Sequence, residues 1–362
     1  MNLKTWALVG LEAREASIHV SIDEGPRGYG FRVEGSFPES EKPIPEHALR
    51  ESKVRVQAAL SNMGLYFEGH VDVRLPEGAR LIELDLAIAL ACLEAAGKVE
   101  LPPGVLARAE LNLDGTLRAL PGCFALLSAA PRASVAVVAR HNRSEAEASG
   151  QPFIAHQSLA DVASAFPPRK IEAYDPMPAR IDFRPKEWGD EAAAKIEAAA
   201  KEGRDVLLLG LPGSGTMMTT RYYHSFLTLT LEQAIEVMKV QSAGCVLDED
   251  RFRVPYRAPH HSVSAQGMTG GASGFLGEVT LAHHGVLVLD ELAEFRRSVL
   301  EDVRQIHKSG RTGSYPASFR IVATASPCPL QCRGACKCEG AQLERYRERL
   351  ALVGELEAIR LP

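Results

Sequence analysis

Residues 205–226 read DVLLLGLPGSGTMMTTRYYHSF: an apolar run, a turn holding Gly210, Gly213, Ser214 and Gly215, and a helix-compatible segment from Thr216 onward. A strand that turns through glycines into a helix aims backbone N–H groups and the positive end of a helix dipole at one point, which suits a phosphate. A purely structural turn has the same composition, so the turn alone decides nothing. Residues 285–292, GVLVLDEL, end a second apolar run on Asp290 and Glu291. Adjacent carboxylates at a strand end suit phosphoryl transfer, Asp290 holding Mg2+ while Glu291 polarises the attacking water. The alternative is an ordinary helix N-terminus carrying favourable acidic charge. Both features on successive apolar strands, about 75 residues apart, point to a phosphate-loop fold that uses ATP and Mg2+.

The chemistry is incomplete. A working loop of the form G-x-x-x-x-G-K-[ST] has Lys and then a hydroxyl residue after its last glycine, whereas Gly215 is followed by Thr216 and Met217. Whether the Lys is deleted and Thr216 is the hydroxyl residue, or Thr216 takes the Lys position and Met217 that of the hydroxyl, no ammonium stands over the β and γ phosphates. Removing one preorganised contact of that kind costs on the order of 100- to 1,000-fold in rate.

Further along, Cys328, Cys332, Cys336 and Cys338 follow a C-x3-C-x3-C-x-C spacing. Four thiolates in one loop suit a structural Zn2+, while the lack of paired C-x-x-C steps leaves reduced thiols as the alternative. The pairs His260–His261 and His283–His284 are expected to pack and shape loops, because neighbouring side chains on a strand point to opposite faces. Ser52 and Lys53 are hydroxyl and amine neighbours, but on a helix they diverge, so both are expected to face solvent.

These residues need a scaffold. The apolar runs DVLLLG, GVLVLDEL and SFRIVATASP are of the kind buried on both faces of a parallel sheet, and helical segments lie between them. Residues 189–362 therefore read as an α/β, doubly wound core. Its leading helix, DEAAAKIEAAAKEG, is expected to end at Gly203. Residues 1–168 mix alternating strands with helices such as ALRESKVRVQAALSNMG and ELDLAIALACLEAAG, and NLDGTL carries an Asp-Gly hairpin turn, so an α+β domain is expected. The Pro-rich residues 169–188 between them read as a linker.

Length supports two domains: 362 residues, 46% hydrophobic and 24% charged, are ordinary globular values. A net charge of -5 argues against a constitutive nucleic-acid coat but leaves room for a local basic patch. No apolar run approaches the roughly 20 residues of a membrane span, and the first residues lack a signal-peptide pattern, so a cytoplasmic protein is expected. Seven unevenly spaced cysteines do not form a secreted disulfide framework.

The stretch YRAPHHSVSAQGMTGGASGFLGEVTLAHHGVLVLDELAEFRRSVLEDVRQ resembles the magnesium-chelatase-like AAA+ ATPases of the ComM (YifB) type. RVQAALSNMG, ELDLAIALACLEAAG and AELNLDGTLRALPG resemble that family's leading domain, which has the fold of ribosomal protein S5 domain 2 and Lon protease. The resemblance implies a homo- or hetero-oligomeric ATP-driven ring acting on DNA. It also exposes departures. Ser326 stands where the family's sensor-1 Asn positions water. The RTGSY segment replaces a longer hairpin. Ala358 falls near the position of an intersubunit Arg, with Arg360 nearby, and no helical lid follows. Together these losses imply a pseudo-ATPase that serves as a scaffold or regulatory subunit. The alternative is a weak ATP-dependent DNA motor.

Overall fold

The computed structural model describes residues 1–22, 30–133, 135–165, 190–211, 214–247, 253–271, 275–332, 338 and 340–361. Gly213, Cys336 and residues 169–188 lie outside the described residues. The chain divides into two compact units, Met1–Met177 and Pro178–Pro362.

In the first unit, β1 (Asn2–Val9) and β2 (Glu12–Ile22) form an antiparallel hairpin. β3 (Phe31–Phe37), β4 (Lys42–Pro43) and β5 (Gly69–Arg74) complete a mixed sheet of order β1-β2-β5-β3-β4. Helix α1 (Glu46–Asn62) precedes β5, and α2 (Asp85–Ala95) comes after it. Every residue of α2 from Asp85 to Leu93 is buried, as expected of a helix apolar all round. β6 (Val105–Arg108) leads to the hairpin of β7 (Glu110–Leu111) and β8 (Leu117–Arg118). Its Asp-Gly turn is closed by Asp114 Oδ1, which accepts from the Thr116 N–H at 2.9 Å. After α3 (Cys123–Ala129) come β9 (Val135–Ala139), α4 (Arg143–Ser149), β10 (Phe153–His156) and α5 (Leu159–Ser164). Strands β10-β9-β6 make a second sheet, all parallel.

Ser52 departs from its expectation. It is fully buried, and its Oγ donates to Asp85 Oδ1 at 2.5 Å, while Arg55 Nε donates to Asp85 Oδ2 at 2.6 Å. Spacing from Lys53 says that the two diverge, but only the packing of α1 on α2 says which one turns inward.

The second unit opens with α6 (Asp190–Glu202), which ends at Gly203 in the left-handed region (φ 67°). Next come β11 (Val206–Leu209), α7 (Thr216–Ser225) and α8 (Leu231–Ala243), the last started by a capping box of Thr230 and Gln233. Then come β12 (Tyr256–Arg257), α9 (Ala265–Thr269), α10 (Glu278–Leu281), β13 (Val286–Leu289) and α11 (Arg297–Ser309). The RTGSY segment forms a short hairpin, β14 (Arg311–Thr312) with β15 (Tyr315–Pro316). β16 (Arg320–Ala325), α12 (Ala341–Leu350) and β17 (Glu357–Arg360) complete the unit.

Strands β12-β13-β16-β11-β17 form one sheet in which every pairing is parallel. Alternate side chains feed two cores. Val206, Leu208, Val286, Val288 and Val322 pack with α6 and α7, while Leu207, Leu287, Leu289, Ile321 and Ala323 pack with α11. Burial of each such side chain contributes about 1.5–3 kcal/mol. This double burial is why the strands read as continuous apolar runs, and it fixes their carboxyl ends on one edge.

Candidate functional site

The carboxyl edge of that sheet gathers the expected residues. β16 lies between β11 and β13, so the segments leaving these three strands are neighbours. Ligands of open parallel sheets bind at this edge. The Gly210 N–H donates to Ala325 O at 3.1 Å, pinning the start of the glycine turn to the end of β16. Gly215 takes φ 77° as the N-cap residue of α7, and Thr216 is the first residue of the helix. Only glycine fits at the start of the turn: a Cβ on Gly210 would lie 2.1 Å from Ser214 Oγ and 3.0 Å from Thr216 Cγ2. Ser214 Oγ is buried without a hydrogen-bond partner.

At the end of β13, Thr324 holds both carboxylate residues. Its Oγ1 donates to Asp290 Oδ1 at 2.6 Å and accepts the Glu291 N–H at 2.9 Å. Glu291 has φ 54° and ψ 55°, a conformation uncommon for a residue with a side chain, and that side chain is 65% exposed. Its Oε2 lies 3.8 Å from His261 Nδ1. Ser326 comes directly after β16, and its carbonyl accepts from Tyr346 Oη of α12 at 2.8 Å. Sequence reasoning missed Thr324 and Tyr346, and it gave His261 a packing role rather than a place beside Glu291. The signal for Thr324 was a hydroxyl between two alanines in the apolar run of SFRIVATASP, and it ends 3% exposed.

The residues present fit part of a Mg–ATP site. The first turn of α7 leaves backbone N–H groups without intrahelical partners, which suits a phosphate, and Asp290 is a hard oxygen donor suited to Mg2+. A positive side chain is missing from the described turn. The nearest downstream cation, Arg221, has its guanidinium over the Tyr256 ring, 5.2 Å from the centroid.

Three of the four clustered cysteines come together. Cys328, Cys332 and Cys338 have Sγ atoms all within 4.8 Å of one another, and Cys328 and Cys338 are buried. The second histidine pair departs from its expectation, since both rings meet one carboxylate. His284 Nε2 is 2.6 Å and His283 Nε2 3.3 Å from Glu236 Oε2, with ring centroids 3.9 Å apart. The pair sits in a turn before β13, with His284 at φ 55°, so strand alternation does not apply. The Ser318 N–H donates to His283 Nδ1 at 3.1 Å, which leaves the ring proton on Nε2 facing Glu236. Burial first, then His284, pushes the His283 pKa down to about 4, and the hydrogen bond from His284 holds Glu236 below the usual carboxylate range.

A family model for magnesium chelatase, subunit ChlI, matches residues 186–355, and one for subunit ChlI of Mg-chelatase matches residues 42–142. The chain is 32% identical to the uncharacterized protein YifB of Escherichia coli (strain K12) over 381 residues, covering 96% of this chain and 72% of YifB. It is 31% identical over 364 residues to the competence protein ComM of Haemophilus influenzae, covering 89% of this chain and 68% of ComM. The chain belongs to the magnesium-chelatase-like family that includes YifB and ComM. Family membership supports nucleotide and Mg2+ use. Among the described residues, no helix is long and apolar enough to cross a membrane.

Proposed function

We propose that the second unit is an AAA+ P-loop module that retains a nucleotide-binding framework but does not turn ATP over. In this reading the first unit, residues 1–168, is the S5 domain 2/Lon-like domain, joined through residues 169–188. The chain acts in the cytoplasm as a scaffold or regulatory subunit of a homo- or hetero-oligomeric ring. One observation carries the reading. The glycine turn and the Asp290–Glu291 pair meet at one sheet edge, yet Thr216 and Met217 stand where a Lys and a Mg2+-binding hydroxyl belong.

Gly210, Ser214, Gly215 and Thr216 would hold phosphate, with Gly213 contributing in the same turn, and Asp290 would hold Mg2+. Glu291 is the remnant water activator. Ser326 stands at the water-positioning place with its carbonyl occupied by Tyr346. The retained Asp-Glu pair favours a second reading, a weak ATP-dependent DNA-processing motor.

Titrating the purified protein with a fluorescent ATP analogue, with and without Mg2+, and following phosphate release tests the proposal. We expect binding without multiple turnover. Turnover that Glu291→Gln abolishes would overturn the pseudo-ATPase reading. No binding at millimolar nucleotide would overturn every nucleotide-dependent version.

A further inference from the structure

The loop between β16 and α12 carries chemistry that the nucleotide site does not use. Cys328 is 3% and Cys338 6% exposed, and Cys332, between them in sequence, is partly buried. Cys332 Sγ lies 3.9 Å from Cys338 Sγ, and the Cys332 N–H donates to Cys328 Sγ at 3.3 Å. An S–S bond measures about 2.05 Å, so 3.9 Å is not a disulfide spacing. Tetrahedral Zn2+ with Zn–S of about 2.3 Å sets its sulfurs roughly 3.8 Å apart. All three sulfurs already lie within 4.8 Å of one another, so small side-chain adjustments complete that geometry.

We propose that Cys328, Cys332 and Cys338 form a structural site for a thiophilic divalent cation, Zn2+ by the softness of its donors. Binding converts three thiols to thiolates, and their protons leave to solvent. Among the described residues no fourth ligand lies with these three, and water or one further donor would complete the tetrahedron. Helix α12 explains why such a staple matters, since it buries no residue of its own. Besides the partly buried Leu350, which packs on the core of the second unit, it is held by hydrogen bonds from Tyr346 Oη to Ser326 O at 2.8 Å and from Arg349 Nη2 to Phe295 O at 2.6 Å. A cation closing residues 328–338 fixes the chain between the end of β16 and the start of α12, and so holds Tyr346 over the Ser326 backbone. This inference is independent of whether nucleotide binds.

The test uses the full chain purified under reducing conditions without added metal. Elemental analysis is expected to find about one zinc per chain, retained by the Cys245→Ser control and lost from a Cys328→Ser/Cys332→Ser/Cys338→Ser variant. Replacing zinc with Co2+ in the wild-type chain is expected to give a thiolate-to-cobalt charge-transfer absorption. Limited proteolysis after chelation is expected to cut first between residues 328 and 350. Metal-free wild-type protein whose Co2+ complex shows no charge-transfer band would overturn the proposal. Equal metal retention by the triple variant would do so as well.

Discussion

At Thr216 the defect in the phosphate turn has a direct chemical remedy. The glycine framework is intact in the described residues, with Gly215 at φ 77° opening α7, so the missing element is a cation rather than a shape. Thr216→Lys combined with Met217→Thr supplies an ammonium and a Mg2+-binding hydroxyl at the helix N-terminus. Nucleotide affinity is expected to rise at least about tenfold, ~1.4 kcal/mol, in the same fluorescence titration. Affinity unchanged by the pair would mean that the turn cannot present its N–H groups to phosphate. The types and order of these residues were legible in the sequence because a phosphate turn is a local device. The left-handed Glu291 and its Thr324 bridge were not, because they depend on β13 and β16 being neighbours. The two histidine pairs show the same limit: the alternation rule holds on strands, and His283–His284 lies in a turn whose shape brings both rings onto Glu236 of a distant helix.

Between elements, the buried tie of α1 to α2 is the clearest energetic commitment in the first unit. Asp85 has a fully buried side chain that accepts from Ser52 and Arg55, and burial pushes its pKa up to about 6 against the opposing pull of those partners. The 2.6 Å contact from Arg55 favours the carboxylate, so near neutral pH we regard Asp85 as ionised and paired. Ser52→Ala leaves one carboxylate oxygen without its donor in a site closed to water, at a cost of about 1–3 kcal/mol. The urea midpoint of the first unit is expected to fall accordingly, with an unchanged slope. A loss below about 0.5 kcal/mol would mean that water or another donor replaces the hydroxyl. Helix α1 was visible in sequence from its apolar spacing, and the three core strands from their continuous apolar runs. The inward turn of Ser52 was not visible, since a lone serine on a helix carries no periodic signal. The two-residue strand β12 was equally silent, being too short to have a pattern.

For the molecule as a whole, the two units should answer acid in opposite senses. The folded pKa of Asp85 is raised from 3.8 to about 6, so its contribution to stability is present in full below 3.8 and lost as pH rises through about 6. The folded pKa of His283 is lowered from 6.5 to about 4, so its contribution is present above 6.5 and lost as pH falls toward 4. Acidifying from about pH 7 to about pH 5 therefore stabilises the first unit through Asp85 by on the order of 1 kcal/mol, and destabilises the second through His283 by on the order of 2 kcal/mol. Thermal melts of wild type, Asp85→Asn and His283→Gln at both pH values isolate the two contributions. The destabilisation of His283→Gln relative to wild type is expected to shrink at the acid pH, because the wild-type histidine then carries its own penalty. That of Asp85→Asn is expected to grow, because wild type gains from the carboxyl proton while asparagine does not titrate. The same sign of change in both variants would mean that one of the two groups is not buried in the protonation state that its surroundings impose.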